Sequence, residues 1–233
     1  MPSPVLNFGL LLLPEYQWLD AAGPVDYINN HSRFMISILG HPESLLDKAP
    51  IINWHYISHD MSPVRSTSGP IQLPSCTYED CPPLDYLIIP GPDPSPNKQQ
   101  PGPFGKFVKD KVDDPNFKGL LLICTASMAV ANSGNGVLDG KQVCSNKLTL
   151  RMFSQAGLLK GTKIKWVGDK RWSVDGKIWS SAGITAGIDL AAEFAKRTFD
   201  AEIVRIAKDA AEYEEKPADG DAFARLLEGV KLD

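Results

Sequence analysis

Residues 119–132, GLLLICTASMAVAN, decide how this chain folds. A glycine-led run of apolar residues stops at Cys124, and small residues of helix-forming character follow at once. The run is short enough for a strand buried on both faces, and the segment after it reads as a helix. Cys124 then occupies a sharp strand-to-helix turn with its sulfur near the positive end of a helix. That location lowers a thiol's pKa and favours the thiolate. A second reading stays open at this point, because a cysteine after an apolar run is also a common small buried hydrophobe.

Working outward, residues 5–13 form an apolar strand ended by Pro14, and the chain then reaches Trp18, Leu19 and Asp20. Pro24 suits the first turn of a helix running toward Asn30, so Asp20 reads either as that helix's cap or as a group at a strand end. Residues 34–39 alternate apolar and polar in the manner of a strand, and residues 51–58 do so less cleanly. Residues 85–91, DYLIIPG, are a second buried strand opening into a loop. Residues 92–103, rich in Pro, Asn and Gln, predict an exposed irregular loop. A helix follows over 104–112, another over 148–156 and a strand over 162–167. Asp175-Gly176 supplies the turn of a hairpin over 172–179. The segment SAGITAG (181–187) leads into helices through Lys196 and over 201–214. The tail from Lys216 has a helical register at Phe223, Leu226 and Leu227 and is expected to pack loosely at the periphery. Alternating strands and helices predict one α/β domain spanning 1–233, a three-layer sandwich with a mostly parallel central sheet.

With 233 residues, 43% of them hydrophobic and 22% charged, the chain can bury a large single core. A net charge of −4 excludes the basic footprint of a nucleic-acid or anionic-membrane binder. The first apolar run has no basic leader and is too short for a signal peptide or a membrane span. The cysteines Cys76, Cys81, Cys124 and Cys144 are too scattered for a disulfide scaffold. These features predict a soluble cytoplasmic protein with reduced thiols. His55 and His59 share a strand face, but two ligands without a third make no metal site.

Ligands of open α/β sheets sit beyond the carboxyl ends of the strands. Asp20, Gly91, Cys124 and the 183–187 loop all fall at such ends. Together they offer a nucleophile (Cys124), a proton donor or acceptor (Asp20) and backbone N–H groups for developing negative charge. Trp18, beside Asp20, reads either as pocket wall or as core.

These residues resemble the ThiJ/PfpI superfamily. FGLLLLPEYQWLDAAGPVDY (8–27), CPPLDYLIIPG (81–91), ICTAS (123–127), GVLDGKQV (136–143) and SAGITAGIDLA (181–191) occur in the family's order, over about residues 6–210. The resemblance implies a flavodoxin-like, class I glutamine amidotransferase-like sandwich and a homodimer. The WLDAAGP, ICT and GITAGID forms look most like the isonitrile (isocyanide) hydratase branch. Carried over residue by residue, the resemblance implies Cys124 as nucleophile, Asp20 as its acid/base partner and Thr125 as a hydroxyl helper. Gly91, Ala126 and Ile184 are implied as backbone donors, with Trp18 and Asn146 at the substrate. The implied substrate is a small electrophile, and no metal or organic cofactor is called for. A protonated Asp20 beside a thiolate implies a raised Asp20 pKa. The same pair would also serve glyoxalase-type, deglycase-type or secondary-metabolism chemistry, or a non-catalytic sensor in which Cys124 is oxidised. Two positions depart from the pattern: Asn146 stands where the hydratase branch has His, and Pro92 where the family has a second Gly. The 92–103 loop is also longer than usual.

Overall fold

A computed structural model describes residues 3–95 and 97–232; Met1, Pro2, Asp233 and Pro96 of the 92–103 loop lie outside it. The strands are β1 (Val5–Leu11), β2 (Ile51–Ser58), β3 (Val64–Arg65), β4 (Ile71–Gln72), β5 (Cys76–Thr77), β6 (Tyr86–Ile89), β7 (Gly119–Leu122), β8 (Gln142–Cys144), β9 (Lys165–Val167), β10 (Trp172–Asp175) and β11 (Ile178–Ser181). The helices are α1 (Trp18–Asn29), α2 (Arg33–Ile38), α3 (Glu43–Leu46), α4 (Phe104–Asp113), α5 (Ala126–Asn132), α6 (Lys147–Gln155), α7 (Ala186–Thr198) and α8 (Ala201–Ala211), followed by a 3₁₀ turn, Ala222–Leu227.

Seven strands form one sheet in the order β10-β11-β7-β6-β1-β2-β5. Every neighbouring pair is parallel except the β10–β11 hairpin. Side chains of a strand alternate between faces, and here both faces are covered. Leu10, Ile88 and Leu121 pack on one side with Ile28 of α1 and Leu190 and Phe194 of α7. Leu87, Ile89, Leu120 and Leu122 pack on the other with Phe107 of α4, Met128 of α5 and Phe153 of α6. Leu120, Leu121 and Leu122 are fully buried, which accounts for an unbroken apolar run where a half-exposed strand would alternate. Each such side chain contributes roughly 1.5–3 kcal/mol of burial.

The register places the site. Leu122 lies opposite Ile89 on one side and Ser180 on the other. The parallel strands therefore release Gly91, Cys124 and Ile184 side by side at one sheet edge, with the β1–α1 connection next to them.

Three expectations are corrected. Residues 34–39 are not a strand: Ser32 caps α2 by accepting from the Met35 N–H (3.3 Å), and of Phe34, Ile36 and Ile38 only Ile36 is buried. Helix α1 starts at Trp18 and takes Pro24 inside, so Asp20 does not cap a helix that begins near Pro24. The fixed φ of proline fits a helix, and its missing N–H removes only the bond to the Asp20 carbonyl. The tail is docked rather than loose, for Leu227 joins the core beside α5 and α6 and Asp221 pairs with Lys147 at 3.3 Å, both side chains being buried.

Candidate active site

Cys124 has φ +58°, a left-handed conformation that non-glycine residues seldom adopt. Strain of this kind persists only where the surroundings enforce it. Here Ser145 Oγ donates to the Cys124 carbonyl at 3.0 Å, and α5 begins two residues later, so the peptide on the C-terminal side is clamped. The turn drives the side chain out from the strand end to the floor of a cleft of about 640 Å³. Gln17, Arg65, Thr67, Pro92, Asn146 and Ile184 are among its walls.

Three donors address the sulfur: the backbone N–H groups of Thr125 and Ile184, and Asn146 Nδ2 at 3.5 Å. The orientation of the Asn146 amide follows from its place in the chain. It is the N-cap of α6, and its Oδ1 accepts from the N–H groups of Leu148 (3.0 Å) and Thr149 (3.3 Å). The cap consumes the acceptor and turns the donor to the sulfur.

Asp20 lies beneath Cys124 and is fully buried. Its Oδ2 accepts from the Gly91 N–H at 3.0 Å, while Oδ1 has no partner. Burial pushes the carboxyl up from 3.8 to about 7, against the lowering influence of the Gly91 N–H and the Cys124 thiol. The thiol is pushed up too, to about 12, by burial first and by the Asp20 charge second. The expected depression of the thiol pKa is thus corrected. A seven-residue helix and three donors do not outweigh desolvation with a carboxylate alongside. The two groups titrate as one unit, and between its two proton losses the pair holds a single proton.

Gly91 is required by closeness. A Cβ there would lie 2.5 Å from Thr125 Oγ1, 2.7 Å from Asp20 Oδ2 and 2.8 Å from the Thr125 nitrogen. Thr125 donates its hydroxyl to the Pro92 carbonyl at 2.7 Å, tying the elbow to the start of the 92–103 loop. That loop is held to the cleft rim by Lys98, which bridges Glu15 (2.7 Å) and Asp93 (3.4 Å).

Cys124, Asp20, Gly91, Thr125, Asn146 and Ile184 therefore converge. Trp18 and Ala126 do not line the cleft. Trp18 packs near Tyr16 against the core, and Ala126 is buried in α5 with its N–H bonded to the Ile123 carbonyl at 3.0 Å. Among the described residues no group of three or more His, Cys, Asp or Glu is placed to hold a metal, and no helix is long and apolar enough to cross a membrane.

Residues 39–197, which carry the Cys124 elbow and the Ile184 loop but not Asp20, match the DJ-1/PfpI family. The chain belongs to the DJ-1/PfpI family. This DJ-1/PfpI chain is 26% identical to an isonitrile hydratase of Pseudomonas putida over 212 residues, 91% of its own length and 80% of the relative's. Its fold is that of a ThiJ/PfpI family protein of Pseudomonas syringae (TM-score 0.69, 18% identity, covering 98% of this chain and 88% of that one). It is likewise that of Schizosaccharomyces pombe DJ-1 (TM-score 0.63, 15% identity, covering 90% and 100%).

Sequence reasoning missed the residues that hold the Ile184 N–H in place in this DJ-1/PfpI domain. Arg171 donates to Asp189 of α7 at 2.6 Å and to Thr185 Oγ1 at 3.2 Å, and its backbone carbonyl accepts from the Ala182 N–H at 2.7 Å. Asp189 also accepts from Tyr213 and from the Lys216 N–H. The one signal was the Asp of GITAGID, an acidic residue inside an otherwise apolar helix face.

Proposed function

We propose that this protein is a cysteine-dependent enzyme that hydrates an isocyanide, R–N≡C, to an N-substituted formamide. The observation that carries the reading is a left-handed Cys124 whose sulfur meets three hydrogen-bond donors above a carboxyl able to keep its proton near neutrality. The similarity to an isonitrile hydratase supports the choice of substrate class.

In the one-proton state the proton moves to Asp20 and leaves a thiolate, which the Thr125 and Ile184 N–H groups and Asn146 stabilise. The sulfur attacks the terminal carbon, forming a C–S bond, and that carbon takes the proton from Asp20, giving a thioimidate, R–N=CH–S. Water then adds to the same carbon. One of its protons goes to nitrogen and the other returns to the Asp20–Cys124 pair, while the C–S bond breaks with its electrons on sulfur. The sum is R–N≡C plus water to R–NH–CHO, with the pair restored. Thr125 acts as a positioning residue, since its hydroxyl is committed to the Pro92 carbonyl.

The test is incubation of the purified protein with cyclohexyl isocyanide, following the formamide proton by NMR. Turnover that Cys124→Ser and Asp20→Asn abolish is the expected result. No turnover with Cys124 intact rejects the reading. A peroxide-dependent gain of two oxygens at Cys124 would then favour the sensor alternative.

A further inference from the structure

A second pocket, of about 350 Å³, opens on the other side of Asn146 from the Cys124 cleft. Asn146, Leu148 and Ile184 line both, so two groups that address the sulfur, the Asn146 amide and the Ile184 N–H, stand at the junction. Beyond it the walls are Leu148, Ala182, Ile184, Phe223 and Leu226, the last two supplied by the docked tail. The polar groups in its lining are already engaged. Lys147 pairs with Asp221 at 3.3 Å, Arg171 with Asp189 at 2.6 Å, and Thr185 Oγ1 accepts from Arg171. No free charge is left there to recognise an ionic ligand, and the contact surface offered is apolar.

We propose that this pocket is the subsite for an apolar substituent of the electrophile that Cys124 attacks. The proposal rests on the reading of Cys124 as a nucleophile and narrows the substrate class to bulky alkyl or aryl isocyanides. An isocyanide is linear, so with its carbon at the sulfur the substituent must project away from Cys124. On attack the C=N–R angle bends, and the junction between Asn146 and Ile184 gives the substituent an outlet that stays out of solvent. Gly183 borders that junction without a side chain of its own, and a Cβ there would lie 3.0 Å from Asn146 Nδ2 and crowd the amide. The volume lies in the range of small-molecule sites.

The experiment uses the full chain and two readouts. In the first, Cys124 is alkylated by iodoacetamide and by its N-ethyl, N-butyl and N-hexyl derivatives, each rate being normalised to free cysteine and read by intact mass. The normalised rate is expected to rise about tenfold along the series, as methylene discrimination in apolar pockets allows. Phe223→Ala should flatten that rise and Phe223→Trp should reverse it; Phe223 is half-exposed, so both variants are expected to fold. In the second readout, KM for cyclohexyl isocyanide should increase relative to methyl isocyanide in Phe223→Ala. A flat series in the unmodified protein overturns the subsite whatever the turnover. A chain-length trend without isocyanide hydration supports the subsite while rejecting the hydratase reading. If Phe223→Ala turns a dimer into a monomer by light scattering and leaves the trend intact, the face is an interface between copies and the proposal fails.

Discussion

At the scale of single residues, the Asp20–Cys124 pair couples reactivity to stability through one titration. The folded Asp20 carboxyl sits near 7 and its unfolded counterpart near 3.8, so the folded state binds the proton more tightly. Folding is therefore favoured at low pH, and this contribution is lost as pH rises from about 4 through about 7. The rise corresponds to on the order of 4 kcal/mol. Over the upper part of that window the pair passes from two protons to one, the state from which the proposed mechanism starts. The expected result is that kcat/KM rises through about pH 7 while Tm, by calorimetry, falls by roughly 10 °C between pH 4 and 8 relative to Asp20→Asn, which removes the trend. Gly91→Ala is expected to cut kcat/KM about 100-fold, because the new Cβ displaces Asp20 and Thr125 by enough to lose alignment. Cys124 and Asp20 were legible as residues because each follows an apolar run at a strand end. Arg171 and Asp189 were not, since a buried ion pair between distant positions leaves no local periodicity.

At the scale of elements, α6 shows a helix cap employed as an orienting device for a side chain. Replacing Asn146 with Ala removes both the cap and one of the sulfur's three donors, whereas Asn146→Asp keeps the cap acceptor and sets a carboxylate beside the sulfur. Ala should therefore lower stability by about 1 kcal/mol and also slow alkylation of Cys124. Asp should leave Tm close to that of the parent while moving the acidic limb of Cys124 alkylation to higher pH. A stability loss equal in both variants would contradict this division of roles. Strands β6 and β7 and the second half of β1, from Phe8, were legible because both of their faces are buried, which leaves apolar runs without alternation. Helix α2 was misread because six residues fit either period, and the deciding signals were Ser32 before it and Gly40 after it, not the alternation within it.

At the scale of the whole molecule, the C-terminal tail completes the fold and walls a pocket at once. Asp221 and Lys147 are a buried pair, with Arg171 4.0 Å from the same carboxylate. Asp221→Ala takes the carboxylate from buried Lys147 and leaves its Nζ to the Lys170 carbonyl, and is expected to destabilise the protein by about 3–5 kcal/mol in urea unfolding. Replacing Lys147 and Asp221 together with Met and Leu should recover much of that loss. The sandwich was legible from the alternation of strands and helices. The docking of the tail was not, because its apolar residues Leu227, Val230 and Leu232 are short of a full helical face and its buried carboxylate, Asp221, meets a lysine far away in sequence.

The left-handed backbone at Cys124 also makes the position a marker of selection. In most buried sites alanine is tolerated better than glycine, but at φ +58° the order reverses. A library randomised at this position and sorted for thermal resistance alone should enrich glycine over alanine. Lineages released from the chemistry should lose the thiol sooner than the leucines around it. A cysteine at this elbow carries a backbone cost that glycine would not, although its side chain is buried in the core.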